Sequence, residues 1–321
     1  MARNMLVLQF VAMTAPRMIL PDRFYMITRR CAQRMFLLRP DPATHQTFLY
    51  CLIHAASRWD IMIVLPSAMS NHHHTIIYDR HGQVIEFMQH FHSLLARSMN
   101  ALRGRWENFF ATEEPSLVEL VDRNDILDKL RYAATNPVKD GLVERVADWP
   151  GVNGFESLVS GQPVTVSRPE KFFRVTGDMP EQVEFACRVP VNHPKIGDVA
   201  GFLKELGELV AQTEQELARA RAAEGRRVMG PRRVLRQPWS DSPTSHEPRR
   251  GPHPRVAARS TWSRLCALQR NQVFIEAYRA ARTLWLAGLD AVFPRGTFWL
   301  RRFARIQVAD AIAVAGPIIS N

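Results

Sequence analysis

The chain has 321 residues, 46% of them hydrophobic, with 42 Lys and Arg against 31 Asp and Glu and a net charge of +11. That length fits about two domains with a core in at least part of the chain, and the positive balance favours a polyanion partner, nucleic acid ahead of an acidic membrane, over a merely soluble basic surface. Four scattered cysteines, Cys31, Cys51, Cys187 and Cys266, form no CxxC pair, which argues against a disulfide frame or a zinc knuckle and for reduced, buried thiols in a cytoplasmic protein.

In chain order, Met5 to Met13 is an apolar run behind Arg3. It imitates a short signal peptide, but Pro16 suits a cleavage site poorly and the run is too short to span a membrane. Residues 1–20 are therefore read as an N-terminal extension, with Met13 a candidate start. Phe24 to Arg30 is aromatic and β-branched and predicts a strand. Pro40 and Pro42 break the chain. Thr44 to Trp59 carries Phe48, Leu49, Leu52, Ile53 and Ala56 at helical spacing. Ile61 to Leu65 and His72 to Asp79 predict two strands. Val84 to Leu102 and Asn124 to Ala134 predict helices, the second capped by Asp125 and ended at Asn136-Pro137.

The order strand, helix, strand, strand, helix and a further helix predicts an α+β fold. A ferredoxin-like antiparallel sheet with packed helices accommodates it, over residues 21–155. Beyond it, residues 156–225 read as an accessory segment with a long helix from Asp198 to Ala223. Residues 226–260, rich in Arg, Pro and Ser, read as a disordered basic linker. Residues 261–321 hold a helix from Arg264 to Leu286 and an alternating strand from Thr297 to Val308. The whole C-terminal extension is mostly helical and basic.

Two groups of residues carry chemistry. His72 and His74 are two apart, so on a strand both imidazoles leave one face, where they can hold a divalent metal. His73 would face the other way, although the triplet alone leaves open which pair is used. Tyr132 and Asn136 share a helix face at i and i+4. On their own these residues have plainer readings: a surface histidine cluster, a half-buried helix tyrosine, and an asparagine that stops a helix. Tyr50 and Tyr78 are rival tyrosines, the latter on the strand face of His72 and His74. Trp106 and Trp149 could stack bases, with core packing the more ordinary use. Arg29, Arg30 and Arg34 are equally placed for phosphates or for solvent.

The segment Met69-Ser70-Asn71-His72-His73-His74 resembles the M-[PS]-N-H-x-H element of the HUH single-tyrosine transposases. Tyr132-Ala133-Ala134-Thr135-Asn136-Pro137-Val138-Lys139-Asp140-Gly141-Leu142-Val143 resembles their Y-x-x-x-N-P-[VL]-x-A-G-L-V nucleophile helix, and Asp148-Trp149-Pro150-Gly151 the close of the domain. The Phe24 to Arg30 strand resembles the family's first. This is the IS200-like group, in its branch tied to repetitive extragenic palindromes, and the resemblance covers about residues 16 to 155. It implies that Tyr132 is the nucleophile, that His72, His74 and Asn136 bind Mg²⁺ or Mn²⁺, and that Arg29, Arg30, Arg34 and Lys139 contact DNA.

The activity so implied is cleavage and rejoining of single-stranded hairpin DNA through a 5′-phosphotyrosine, by a monomer or homodimer. The alternative is a domesticated hairpin-binding protein, for DNA or RNA, that no longer cuts. The chain departs from the family pattern at His73, where an apolar residue is usual, and at Asp140, where a small one is.

Overall fold

The computed structural model describes residues 16–245 and 254–310. The remaining residues, which include the apolar run near the start and the middle of the basic stretch, lie outside it. The chain divides into two units, Pro21–Arg264 and Met1–Leu20 with Leu265–Asn321.

In the larger unit the chain runs β1 (Arg23–Arg30), α1 (Pro42–Arg58), β2 (Ile61–Ala68), β3 (His72–Asp79), α2 (Val84–Arg103), β4 (Ser116–Leu120) and α3 (Arg123–Lys139). The strands lie in the order β2-β3-β1-β4, each antiparallel to its neighbour. A two-residue strand, Val256–Ala257, adds in parallel to β4. The five-stranded sheet is therefore mixed rather than purely antiparallel.

Side-chain alternation gives each face its own layer. Phe24 and Met26 of β1, Ile76 and Tyr78 of β3, and Val118 and Leu120 of β4 share one core with Ile126, Leu127, Leu130 and Ala134 of α3. On the other face Phe48 of α1 and Phe91 of α2 meet edge to face, ring centroids 5.4 Å apart, against His73 of β3. Strand β4 has no clear signal in the sequence because Glu119 interrupts it. That carboxylate is buried and pairs with Arg23 across the sheet at 3.2 Å.

Helix starts follow their caps. Asp41 Oδ1 accepts from the Thr44 amide at 2.9 Å. Asp79, fully buried, accepts from the amides of Gly82, Gln83 and Val84 and so opens α2. Asp122 and Asp125 form a reciprocal capping box on α3. The end of α3 departs from expectation: the helix runs through Pro137 to Lys139. Proline removes the donor that would pair with Ala133 O and crowds that carbonyl, so the turn is held by contacts from elsewhere. Asn153 Nδ2 reinforces this turn by donating to Ala134 O at 2.9 Å.

The accessory segment shares this core. Helix α4 (Phe155–Ser160) precedes a hairpin of β5 (Val164–Ser167) and β6 (Gln182–Phe185), then α5 (Val199–Ala223). Phe202, Leu206 and Val210 of α5 are buried in the cluster around α3. The basic stretch is also ordered where it is described. Met229 and Gly230 donate backbone hydrogen bonds to Gly141 O and Leu142 O, and Val234, in a short helix Pro231–Arg236, is buried. Backbone pairing needs no large apolar side chains, so composition alone misleads here. Trp149 is buried and donates Nε1–H to Ala68 O, whereas Trp106 is 89% exposed. Cys31, Cys51 and Cys187 are buried free thiols, but Cys266 is exposed.

In the smaller unit the strand expected over Thr297–Val308 is replaced by a short helix, Trp299–Phe303, and a two-residue strand, Gln307–Val308, paired in parallel with Val292–Phe293. The Trp299 and Phe303 rings, 4.5 Å apart at i and i+4, favour the helix over alternation. Among the described residues no helix is long and apolar enough to cross a membrane.

Phe202 tests whether α5 belongs to the core. Phe202→Ala is expected to cost about 3–5 kcal/mol, read as a lowered urea midpoint; a cost below about 1 kcal/mol would mean that α5 is a dispensable appendage.

Candidate active site

Strand β3 carries His72 and His74 onto the α3 face, with Ile76 and Tyr78 continuing the same side. Opposite them in β1 stand Arg30 and Thr28, the register pairing Thr28 with His74 and Arg30 with His72. The two imidazoles lie 4.8 Å apart, centroid to centroid. Helix α3 crosses above them. The Tyr132 ring sits 5.3 Å from the His74 ring, and Asn136 Nδ2 reaches His72 Nε2 at 3.2 Å. Residues 58 to 64 positions apart in sequence thus meet in one cluster.

Each imidazole has a side-chain partner at its Nδ1. Asn71 Oδ1 lies 2.7 Å from His72 Nδ1. An amide oxygen only accepts, so Nδ1 donates and Nε2 holds a lone pair. That lone pair takes the Asn136 N–H, and a half-turn of the carboxamide would present Oδ1 instead. Thr28 Oγ1 lies 2.8 Å from His74 Nδ1. His74 Nε2, on the far side of the ring, is buried without a hydrogen-bond partner among the described residues. Leaving such a group unpaired costs about 1–3 kcal/mol. Two imidazole nitrogens and a rotatable carboxamide therefore make a donor set that fits a divalent cation. Among the described residues no three or more His, Cys, Asp or Glu converge to hold a metal.

Charge around the tyrosine is arranged along α3. Lys129 Nζ lies 5.7 Å and Lys139 Nζ 5.3 Å from the Tyr132 ring centroid. Burial pushes the phenol above its ordinary range, and the Asp140 carboxylate pushes the same way. Burial, then His72, His73 and Lys129, holds His74 well below the usual histidine value, so its ring stays neutral and able to bind a metal.

Other residues singled out from the sequence go elsewhere. Arg29 faces the opposite side of the sheet, its guanidinium 4.8 Å from the Phe110 centroid. Arg30 shares the histidine face and lies 3.9 Å from Glu113. Arg34 donates to Ser245 O and Oγ. His73 is fully buried on the Arg29 side, its Nε2 3.1 Å from His92 Nε2, which removes it as a rival ligand on the tyrosine face. Tyr78 donates to Asp22 and Tyr50 to Pro180 O. The sequence reading gave no role at the site to Thr28, Asn71 or Lys129. Lys129 is three residues before Tyr132 and could have been found on the helix face; Thr28 depends on the strand register.

No family model matches the chain and no curated protein does. Among solved structures, it is similar to a REP-associated tyrosine transposase bound to a REP hairpin, at 18% identity over 46% of this chain and 86% of that one, TM-score 0.40. A Deinococcus radiodurans protein assigned as a transposase aligns at 13% identity over 36% and 93%, TM-score 0.28. The tRNA(His) guanylyltransferase of Saccharomyces cerevisiae aligns at 13% over 50% and 74%, TM-score 0.31.

Thr28→Val is expected to weaken Mn²⁺ binding about tenfold, the usual scale for losing a hydrogen bond behind a metal-binding imidazole; calorimetric titration reads it, and an unchanged affinity would mean that the hydroxyl does not orient His74. A second expectation concerns pH. Burial holds His73, His74 and His92 well below 6.5, whereas in the unfolded chain each takes a proton near that value. Below it the unfolded state binds more protons, so stability falls as pH falls, by up to about 1.4 kcal/mol per unit for each ring. Urea midpoints should be level above neutrality and drop steadily on the acid side; a level midpoint down to acid pH would contradict it.

Proposed function

We propose that the chain is a metal-dependent transposase of the HUH single-tyrosine kind, which cuts and rejoins single-stranded hairpin DNA on a ferredoxin-like split β-α-β sheet. The observation that carries this reading is the meeting of Tyr132 and Asn136 on α3 with His72 and His74 on β3, around a buried imidazole nitrogen that has no hydrogen-bond partner among the described residues. The motif pattern of these residues supports it, and so does the strand order β2-β3-β1-β4. The net charge of +11 suits a nucleic-acid substrate.

In this reading Tyr132 Oη attacks the scissile phosphorus. The P–O3′ bond breaks, and the 3′ oxygen leaves with the electron pair and takes up a proton. The phosphate stays on the tyrosine as a 5′-phosphodiester, which conserves the bond energy so that a 3′-hydroxyl can reverse the step and join strands. His72, His74 and Asn136 would hold Mg²⁺ or Mn²⁺, which when bound polarises the phosphoryl oxygens. Lys129 and Lys139 flank the tyrosine and offset the charge of the incoming phosphate. Helix packing holds the ring against His74, so the nucleophile is placed before the substrate arrives.

One observation favours the second reading, a hairpin-binding protein that no longer cuts. Asp140 sits beside the nucleophile and raises the phenol further, which opposes both ionisation and the approach of a phosphate. The two readings separate on a denaturing gel. With single-stranded oligonucleotides spanning palindromes that flank the gene, and Mg²⁺ or Mn²⁺, the transposase yields a covalent protein–DNA adduct. Tyr132→Phe is expected to abolish it and His72→Ala to slow it by about 100-fold or more. Binding with no adduct in either metal would leave the non-cutting reading.

A further inference from the structure

A cleft of about 810 Å³ opens at the far end of the same sheet, where β1 begins, β3 has ended, and residues 188–195 cross. Arg23, Arg80, Arg188 and Lys195 line it, and Asp22 is the one carboxylate among its lining residues. That carboxylate accepts the Tyr78 hydroxyl at 2.6 Å, and Arg23 pairs with Glu119 at 3.2 Å. Arg80 and Arg188 are exposed. The excess of positive charge comes from separate stretches of chain placed around one opening, rather than from a run in a single solvated helix.

The walls are held in shape. The His193 ring meets Phe24 at 5.1 Å and Tyr78 at 5.4 Å, both edge to face. Lys195 donates both its ammonium, to Leu120 O, and its amide, to His193 Nδ1. Asp22 and Asn192, both among the lining residues, take left-handed backbone angles, φ 57° and 58°, a conformation that Asp and Asn tolerate best among non-glycine residues.

Distance separates this cleft from the tyrosine. Tyr78, in its floor, stands on the same strand face as His72 but six residues along, roughly 20 Å at the usual rise. No single phosphate touches both places; a chain of several nucleotides can.

We infer that this cleft is a second phosphate-binding site, taking the sugar-phosphate backbone of a single strand at a point remote from the bond that Tyr132 attacks. The occupant is a run of phosphodiesters rather than one small anion, because the cations are spread around an open mouth instead of converging on a point. The inference rests on the proposed DNA-cutting function for the identity of the strand. It needs neither the metal nor the tyrosine.

The test uses the full chain in EDTA and fluorescence anisotropy with labelled single-stranded DNA of about 30 nucleotides and of about 3, lengths that do and do not bridge roughly 20 Å. Arg80→Ser with Arg188→Ser is expected to weaken the long strand about tenfold at low salt, and to flatten the salt dependence by about 1.4 in log–log slope, two phosphate contacts' worth. The control, Arg219→Ser with Arg227→Ser, removes the same charge from exposed positions outside the cleft and is expected to leave the slope unchanged. With Mg²⁺ in place of EDTA and saturating long strand, adduct formation should match the wild type in both doubles. Equal affinity and slope in the cleft double and the wild type would overturn the inference, as would an equal loss in the control. A cleft double that weakens long-strand binding when Tyr132 forms no adduct would retain this site and sink only the cutting function.

Discussion

The pairing of β1 with β3 sets everything else at the site. Thr28 stands opposite His74 and Arg30 opposite His72, and because side chains alternate, a slip of one residue would send both imidazoles into the α1–α2 layer and bring His73 to the tyrosine. The register is held from both sides. Phe24, Met26, Ile76 and Tyr78 belong to the α3 core, and Ile27 and Ile77 are fully buried on the other face. A slip would exchange these sets and put Asp79, which opens α2 by accepting its first amides, on the wrong face. The placement of two ligand-type side chains is thus secured by apolar burial along the rest of the same strands.

Helix α3 answers to the same constraint from above. Its buried positions Ile126, Leu127, Leu130, Ala133, Ala134 and Val138 fix its rotation on the sheet, and this rotation presents Tyr132 and Asn136 to the histidines. Asn136-Pro137 reads locally as an end to the helix. The structure carries the helix one half-turn further, which keeps Asn136 in helical geometry and its side chain over His72. The Asn153 contact to Ala134 O and the Arg221 contact to Val138 O brace that last turn from segments far along the chain.

What was legible in the sequence follows from the range of the signals. A spacing of two in β3 and of four in α3 fixes which side chains share a face within one element, and the motif supplies the pairing of the two elements. Arg29 shows the limit: it is next to Arg30 in sequence, but alternation sends it to Phe110 on the opposite side. That outcome was open to the same parity argument used for the histidines. Arg34 was not readable at all, because its partner Ser245 lies 211 residues away. Strand β4 and the ordered basic stretch were missed for one reason. Both are held by pairing across the sheet or by backbone hydrogen bonds, and a charged or proline-rich composition says nothing against those.

The electrostatics of the tyrosine show why geometry and reactivity are separate questions here. Burial and Asp140 both disfavour the phenolate in the protein alone, while Lys129 and Lys139 lie close enough to the ring to favour negative charge beside it. In the proposed transposase reading, the neutral Tyr132 phenol with Lys129 and Lys139 near its ring is the resting state. In that reading a phosphate entering this space would meet the two lysines and add negative charge, and a cation on His72, His74 and Asn136 would add positive charge next to the same ring. Burial and Asp140 set how much positive charge the proposed bound state would have to supply at Oη.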